Sequence, residues 1–214
     1  LRGGRAASNL QHPNMVKMLQ AGRCDGDPYQ AMELVEGRDL AGYIHARSAP
    51  MDAEQAFIIV RQILAALQYV YEQGYVMRTV QPDNVLLSDR MHCKLADYDL
   101  LKRLPESPGD GITDMPDVSG AKDPRYAAPE LISRPLMADQ RCDVFGAGAV
   151  LYFLLTRQPP FKDGEPGLYP HRAFSREMTP VRQANPHVPN SLAGVIETAL
   201  SNYAERLRIL HEID

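Results

Sequence analysis

Three features of the 214-residue sequence predict an α+β fold with a small β-rich start and a mainly helical body. Two short β-type runs joined by a turn lie near the beginning. A long stretch from Asp52 then carries apolar residues at helical spacing, and apolar helical segments dominate after Asp139.

Taken in order, Val16 to Leu19 and Tyr29 to Val35 read as strands, and the turn-forming run Arg23-Cys24-Asp25-Gly26-Asp27-Pro28 makes them a hairpin. After Gly37, a short helix is expected over Arg38 to Arg47, where Leu40, Tyr43 and Ile44 recur at spacings of three and four. From Asp52, the residues Val60, Ile63, Leu64, Leu67, Val70 and Tyr71 follow one helical stripe and predict a long core helix. Asp52 and Glu54 suit its positive N-terminal end, and Gly74 suits its stop. Short β pieces are expected at Tyr75 to Met77, Asn84 to Leu87 and Cys93 to Ala96. Asp99 to Lys122, rich in Pro, Gly, Asp and Ser, reads as a long loop, a length that marks function or disorder. Helices follow at Asp139 to Thr156, Ser191 to Ser201 and Ala204 to Ile213, with a Pro-punctuated connection from Gln158 to Pro189. Met15, Met18 and Met32 are expected as core fillers.

Composition narrows the function classes. A hydrophobic fraction of 44% with 23% charged residues is that of a folded domain. The net charge is −4 and no basic run exceeds Lys102-Arg103, so the footprint of a nucleic-acid binder is missing. Three scattered cysteines, Cys24, Cys93 and Cys142, form neither a disulfide framework nor a zinc cluster, and a reducing, cytoplasmic setting is expected. The longest apolar stretch, Val144 to Thr156, has 13 residues where a membrane span needs about 20. His45, His92, His171, His187 and His211 fit no metal-ligand spacing, and no serine-hydrolase elbow is present.

One string changes the reading: YVMRTVQPDNVLL, Tyr75 to Leu87, resembles the catalytic loop of eukaryotic-type protein kinases. KLADYDLLK (Lys94 to Lys102) is similar to the strand and metal-binding triplet of that family, and DPRYAAPELI (Asp123 to Ile132) to the end of its activation segment. Asp143 to Phe161 resembles the family's central buried helix and the turn after it. HPNMVKML and MELVEGRDL resemble the strand after the C-helix and the hinge. The resemblance runs from about His12 to Arg206, with bacterial Ser/Thr kinases nearest in character. It implies a protein-kinase-like fold, divided into an N-lobe remnant and hinge over residues 1–36 and a C-lobe over 37–214.

Residue by residue, the resemblance implies that Asn84 and Asp97 hold Mg2+, that Glu33, Val35, Asp39 and Leu86 line a nucleotide cleft, and that Glu130 and Arg206 form a buried ion pair. It also implies that Asp143 ties the central helix to the catalytic loop. By the same resemblance Arg78 is expected to hold the activation segment, where a phosphorylated Thr113 or Ser119 would pair with it. Two positions depart from the family at the centre of the chemistry. Thr79 stands where an aspartate receives the substrate hydroxyl's proton, and Gln81 where a lysine neutralises the transferring phosphoryl group. Threonine offers no carboxylate and glutamine no positive charge. Met77 replaces a histidine, and Asp99 replaces the glycine of the triplet. The Gly-rich loop, strand lysine and helix glutamate would precede His12, where eleven residues hold neither Lys nor Glu, so a trimmed, separately supplied or lost N-lobe is expected. The reading that follows is a pseudokinase, a regulatory or scaffolding module with little or no phosphotransfer, binding Mg2+ and ATP weakly or not at all. Its expected partner is another protein, a segment of its own parent chain, or a second copy. A residual Ser/Thr kinase and a helical interaction domain with an idle cleft are the alternatives.

Overall fold

Asp25 and Gly26 both adopt positive φ, 52° and 92°, and this mirror-image turn matches the twist of two antiparallel strands. They join β1 (Met18–Cys24) to β2 (Asp27–Met32), with Cys24 opposite Asp27 and Met18 opposite Met32. This computed structural model describes residues 7–104, 123–133, 138–161 and 178–201. The expected hairpin is present but shifted. The first strand begins at Met18 and runs through Cys24, and the second ends at Met32, leaving 33–35 outside the ladder. Met15 and Met18 are buried as expected, whereas Met32, near the open end of a two-stranded sheet, is 40% exposed.

The expected helix over Arg38 to Arg47 divides into two elements. Arg38–Asp39 forms strand β3, and α1 (Leu40–His45) begins only where the Asp39 carboxylate can cap it, accepting from the Gly42 amide at 2.7 Å. Helix α2 (Ala53–Glu72) starts in the same way, with Asp52 accepting from the Gln55 amide at 2.9 Å, and ends before Gly74 at φ 78°. Its buried face is Ala56, Ile59, Val60, Ile63, Ala66, Leu67 and Val70. Leu64 and Tyr71, expected on that face, are instead exposed with Phe57, seven residues apart along the outer side. The helix turns its Ile59 and Ile63 side inward because it is packed against both α4 and β6.

Strands β5 (Val85–Leu87) and β6 (Cys93–Leu95) pair antiparallel, and β3 adds to the outside of β5. β4 (Tyr75–Val76) pairs with β7 (Lys102–Arg103), a strand inside what the sequence reads as pure loop. After α3 (Pro129–Ser133), helix α4 (Gln140–Thr156) runs through the core with fourteen of its residues buried, capped by Asp139 accepting from the Arg141 amide. Helices α5 (Val181–Ala184) and α6 (Asn190–Ala199) pack against it. No helix among the described residues is long and apolar enough to cross a membrane. The expected helix at Ala204 to Ile213 lies outside the described residues.

Candidate active site

The loop between β4 and a 3-10 turn at Pro82–Asn84 is seated on one face of α4. In the first turn of that helix, the buried Asp143 carboxylate accepts from the Met77 amide at 2.9 Å and the Arg78 amide at 2.7 Å. Burial pushes the Asp143 carboxyl up to about 6, while the two amides and the Arg78 charge pull it down. One helical turn on, Gly146 gives the loop room. A Cβ there would lie 2.7 Å from both the carbonyl oxygen and the Cβ of Val80. Asp143 and Gly146, three apart on α4, thus face the same loop.

This seating places Thr79, Asn84 and Asp97 together. Thr79 Oγ1 donates to the Asp97 carbonyl at 2.9 Å, Asn84 Nδ2 donates to the Thr79 carbonyl at 2.8 Å, and the Ala96 amide donates to the Asn84 carbonyl at 2.8 Å. Asp97 takes φ 62°, and one of its carboxylate oxygens accepts from the Asp99 amide at 3.1 Å. Asn84 Oδ1 and the Asp97 carboxylate are oxygen donors suited to a hard cation such as Mg2+. No cluster of three His, Cys, Asp or Glu ligands forms among the described residues. The protein's share would therefore be two side chains, the proportion usual for Mg2+ completed by phosphate and water. Gln81 is buried, and its Nε2 has no hydrogen-bond partner among the described residues.

Arg78, within this loop, is buried at φ 68°, with its pKa lowered chiefly by desolvation. Lys102 sits close enough that the Arg78 charge, after burial, contributes to lowering its own pKa. The β4–β7 register explains the proximity, because Val76 stands opposite Lys102. Met77, in the histidine's place, is fully buried. Glu130 is buried; Arg206, Thr113 and Ser119 lie outside the described residues.

Of the expected nucleotide-lining residues, Asp39 and Leu86 lie in the β3–β5–β6 sheet, and Glu33 meets it through Lys94. Asp39, Leu86 and Lys94 stand opposite one another in register and so share a face. Lys94 Nζ reaches the Glu33 carboxylate at 2.6 Å, which also accepts from the Lys17 amide at 2.8 Å; Val35 is half-buried nearby in sequence. Both carboxylates therefore have structural employment, Asp39 at a helix cap and Glu33 between the Lys17 amide and Lys94. Sequence reading missed Gly146, Lys102 and the Tyr98 hydroxyl. Gly146 and Lys102 become visible only when α4 and β7 are placed against the loop. Tyr98 carried no local signal either, since it stands between two charged residues, Asp97 and Asp99.

Residues 4–206 match the family model described as the protein kinase domain. The chain belongs to the protein kinase family. This kinase domain is 31% identical over 99% of its length to a probable serine/threonine-protein kinase of Corynebacterium efficiens. It is 30% identical over 89% to the probable serine/threonine-protein kinase PknB of Lactococcus lactis, and 32% identical over 91% to the serine/threonine-protein kinase PrkC of Bacillus subtilis. It spans about a third of the length of each, 33%, 29% and 29% respectively. The α+β, mainly helical architecture expected from the sequence is the one this kinase domain adopts.

Proposed function

We propose that this kinase domain is a pseudokinase, a regulatory or scaffolding module with little or no phosphotransfer. The observation that carries it is the catalytic loop itself. The position that would receive the substrate's proton is a threonine whose hydroxyl is donated to the Asp97 carbonyl, and the position that would neutralise the phosphoryl group is the uncharged Gln81. Loss of a general base alone costs about 10²- to 10⁴-fold in rate. Asn84 and Asp97 would hold Mg2+ with ATP, weakly; a bound ion would shield phosphate charge, and Leu86 would offer the base an apolar surface.

The division at residues 36/37 into an N-lobe remnant with hinge and a C-lobe is part of the same reading, as is a cytoplasmic setting. The partner is another protein or a segment of the parent chain, with a second copy as the alternative. The exposed apolar side chains Leu19 and Met32 on the hairpin and Leu34 just after it support it, since a partner would remove them from water. A residual Ser/Thr kinase is the second reading, favoured by the retained Asn84 and Asp97 and by relatives that are serine/threonine-protein kinases.

Incorporation of radiolabelled phosphate into generic protein substrates and into the chain itself tests the first reading. The parent is expected to stay at background, with Thr79→Asp assayed alongside. Robust incorporation by the parent that Asp97→Ala abolishes would establish the second reading in its place.

A further inference from the structure

Each residue of the Asp97-Tyr98-Asp99 triplet is tied to a different element. The Asp97 carbonyl accepts from Thr79 Oγ1 in the catalytic loop at 2.9 Å. The Tyr98 hydroxyl, on a ring only 1% exposed, donates to the Val16 carbonyl just before β1, and burial pushes its pKa up. Asp99 Oδ1 accepts from Gln30 Nε2 on β2 at 3.1 Å. The ties from Thr79 and Asp99 come from side chains that the family resemblance does not call for, a threonine in the aspartate's place and an aspartate in the glycine's place.

The Thr79 contact has a chemical direction. A carbonyl oxygen only accepts, so the residue facing the Asp97 carbonyl must bring a proton. A threonine hydroxyl has one, and it is aimed there, since the other acceptor, the Met77 carbonyl, is farther at 3.4 Å. An ionised aspartate at position 79 has none, and would set a negative charge against the carbonyl. The hydroxyl also bears on backbone in a costly region: Asp97 is a non-glycine residue at φ 62°, a conformation that persists only where its surroundings hold it.

We propose that Thr79 is a positioning residue that clasps the Asp97 main chain and, with Tyr98 and Gln30, holds the triplet in one arrangement as a strut between the hairpin and the helical body. The same hydroxyl that leaves the loop without a base gives the triplet its anchor. Restoring aspartate at position 79 therefore loosens the triplet while it restores a carboxylate, so the substitution does not by itself rebuild a working site.

Hydrogen exchange without nucleotide tests this, independently of whether the protein turns over ATP. The amides to follow are those of Ala96, Asp99 and Leu101, which donate to the Asn84 carbonyl, the Asp97 carboxylate and the Tyr98 carbonyl. In Thr79→Val and Thr79→Asp, their exchange is expected to speed up roughly five- to tenfold while α2 and α4 exchange as in the parent. Thr79→Ser keeps the hydroxyl and is expected to restore parental rates. Gln30→Ala, at a half-exposed hairpin position, keeps the test open should Thr79→Val not fold; it is expected to speed exchange at Asp99 with α2 and α4 unchanged. Parental exchange in Thr79→Val, equal loosening in Thr79→Ser, acceleration spread over the whole chain, or no change at Asp99 in Gln30→Ala would each overturn the clasp.

Discussion

Replacing Asp143 by alanine is expected to destabilise the chain by on the order of 3 kcal/mol. The carboxylate is buried and serves both the Met77 and Arg78 amides, so its removal strands two donors at 2.9 and 2.7 Å from an acceptor no longer there. A buried donor left unsatisfied costs about 1–3 kcal/mol, and the two costs are partly offset because no carboxylate then has to be desolvated. Against a total stability of about 5–15 kcal/mol for a domain, this is a large fraction. The same group gives stability a pH dependence whose sign follows from burial. Asp143 titrates near its ordinary 3.8 when unfolded and at about 6 when folded, so between those values the folded state holds more protons. Stability from this group is therefore greatest below pH 4, falls as pH rises through about 4 to 6, and is flat above, with a total change of roughly 3 kcal/mol. Urea midpoints at pH 4, 5, 6 and 7 check this. Asp143→Asn, which does not titrate, should lose that slope, and equal slopes in the two proteins would assign the pH dependence to other groups.

Gly146→Ala is the second large effect, expected to destabilise by about 2 kcal/mol despite alanine's better helix propensity. The added Cβ meets the Val80 carbonyl oxygen and Cβ at 2.7 Å, and a backbone carbonyl does not swing aside as a flexible side-chain end would. Overpacking of this kind costs about 1–3 kcal/mol, while the helical gain over glycine returns about 1 at most. The strain falls on the residue between Thr79 and Gln81, so the loop that carries the site moves with it. Gly194→Ala supplies the internal control. Gly194 lies in α6, and a Cβ added there would meet nothing within 4 Å, so the same substitution is expected to stabilise by about 0.5–1 kcal/mol. Thermal or urea denaturation of the two variants checks both signs, and a Gly146→Ala protein as stable as the parent would mean that α4 does not press on the loop.

What the sequence discloses and what it withholds follow from the range of the interactions. Local signals are legible. The turn within Arg23 to Pro28, the helix start at Asp52 and the Gly74 stop each act over a few residues, and each is found where the sequence places it. Motif spacing identifies the catalytic loop and triplet, because Thr79, Asn84 and Asp97 converge through two side-chain-to-backbone bonds and one backbone bond between neighbouring segments. The orientation of α2 is not legible. Its apolar residues exceed one face, and only the placement of α4 and β6 decides that Ile59 goes inward and Leu64 outward. Nor is Asp39 as a cap, since a two-residue strand before a helix leaves no periodicity to read. Contacts such as Gln30 with Asp99, 69 residues apart, carry no sequence signature at all.

Formation of ADP from Mg2+-ATP, followed with the purified chain at saturating nucleotide, is the decisive measurement for the pseudokinase reading, because it requires no knowledge of the protein substrate. With a threonine bonded to backbone at position 79 and no cation on the Gln81 side chain, ADP formation is expected at the level of a protein-free control, in the parent and in Asp97→Ala alike. ADP formation by the parent well above that control and abolished by Asp97→Ala would contradict that reading, and would show that the cleft performs phosphoryl transfer without the two residues it has replaced.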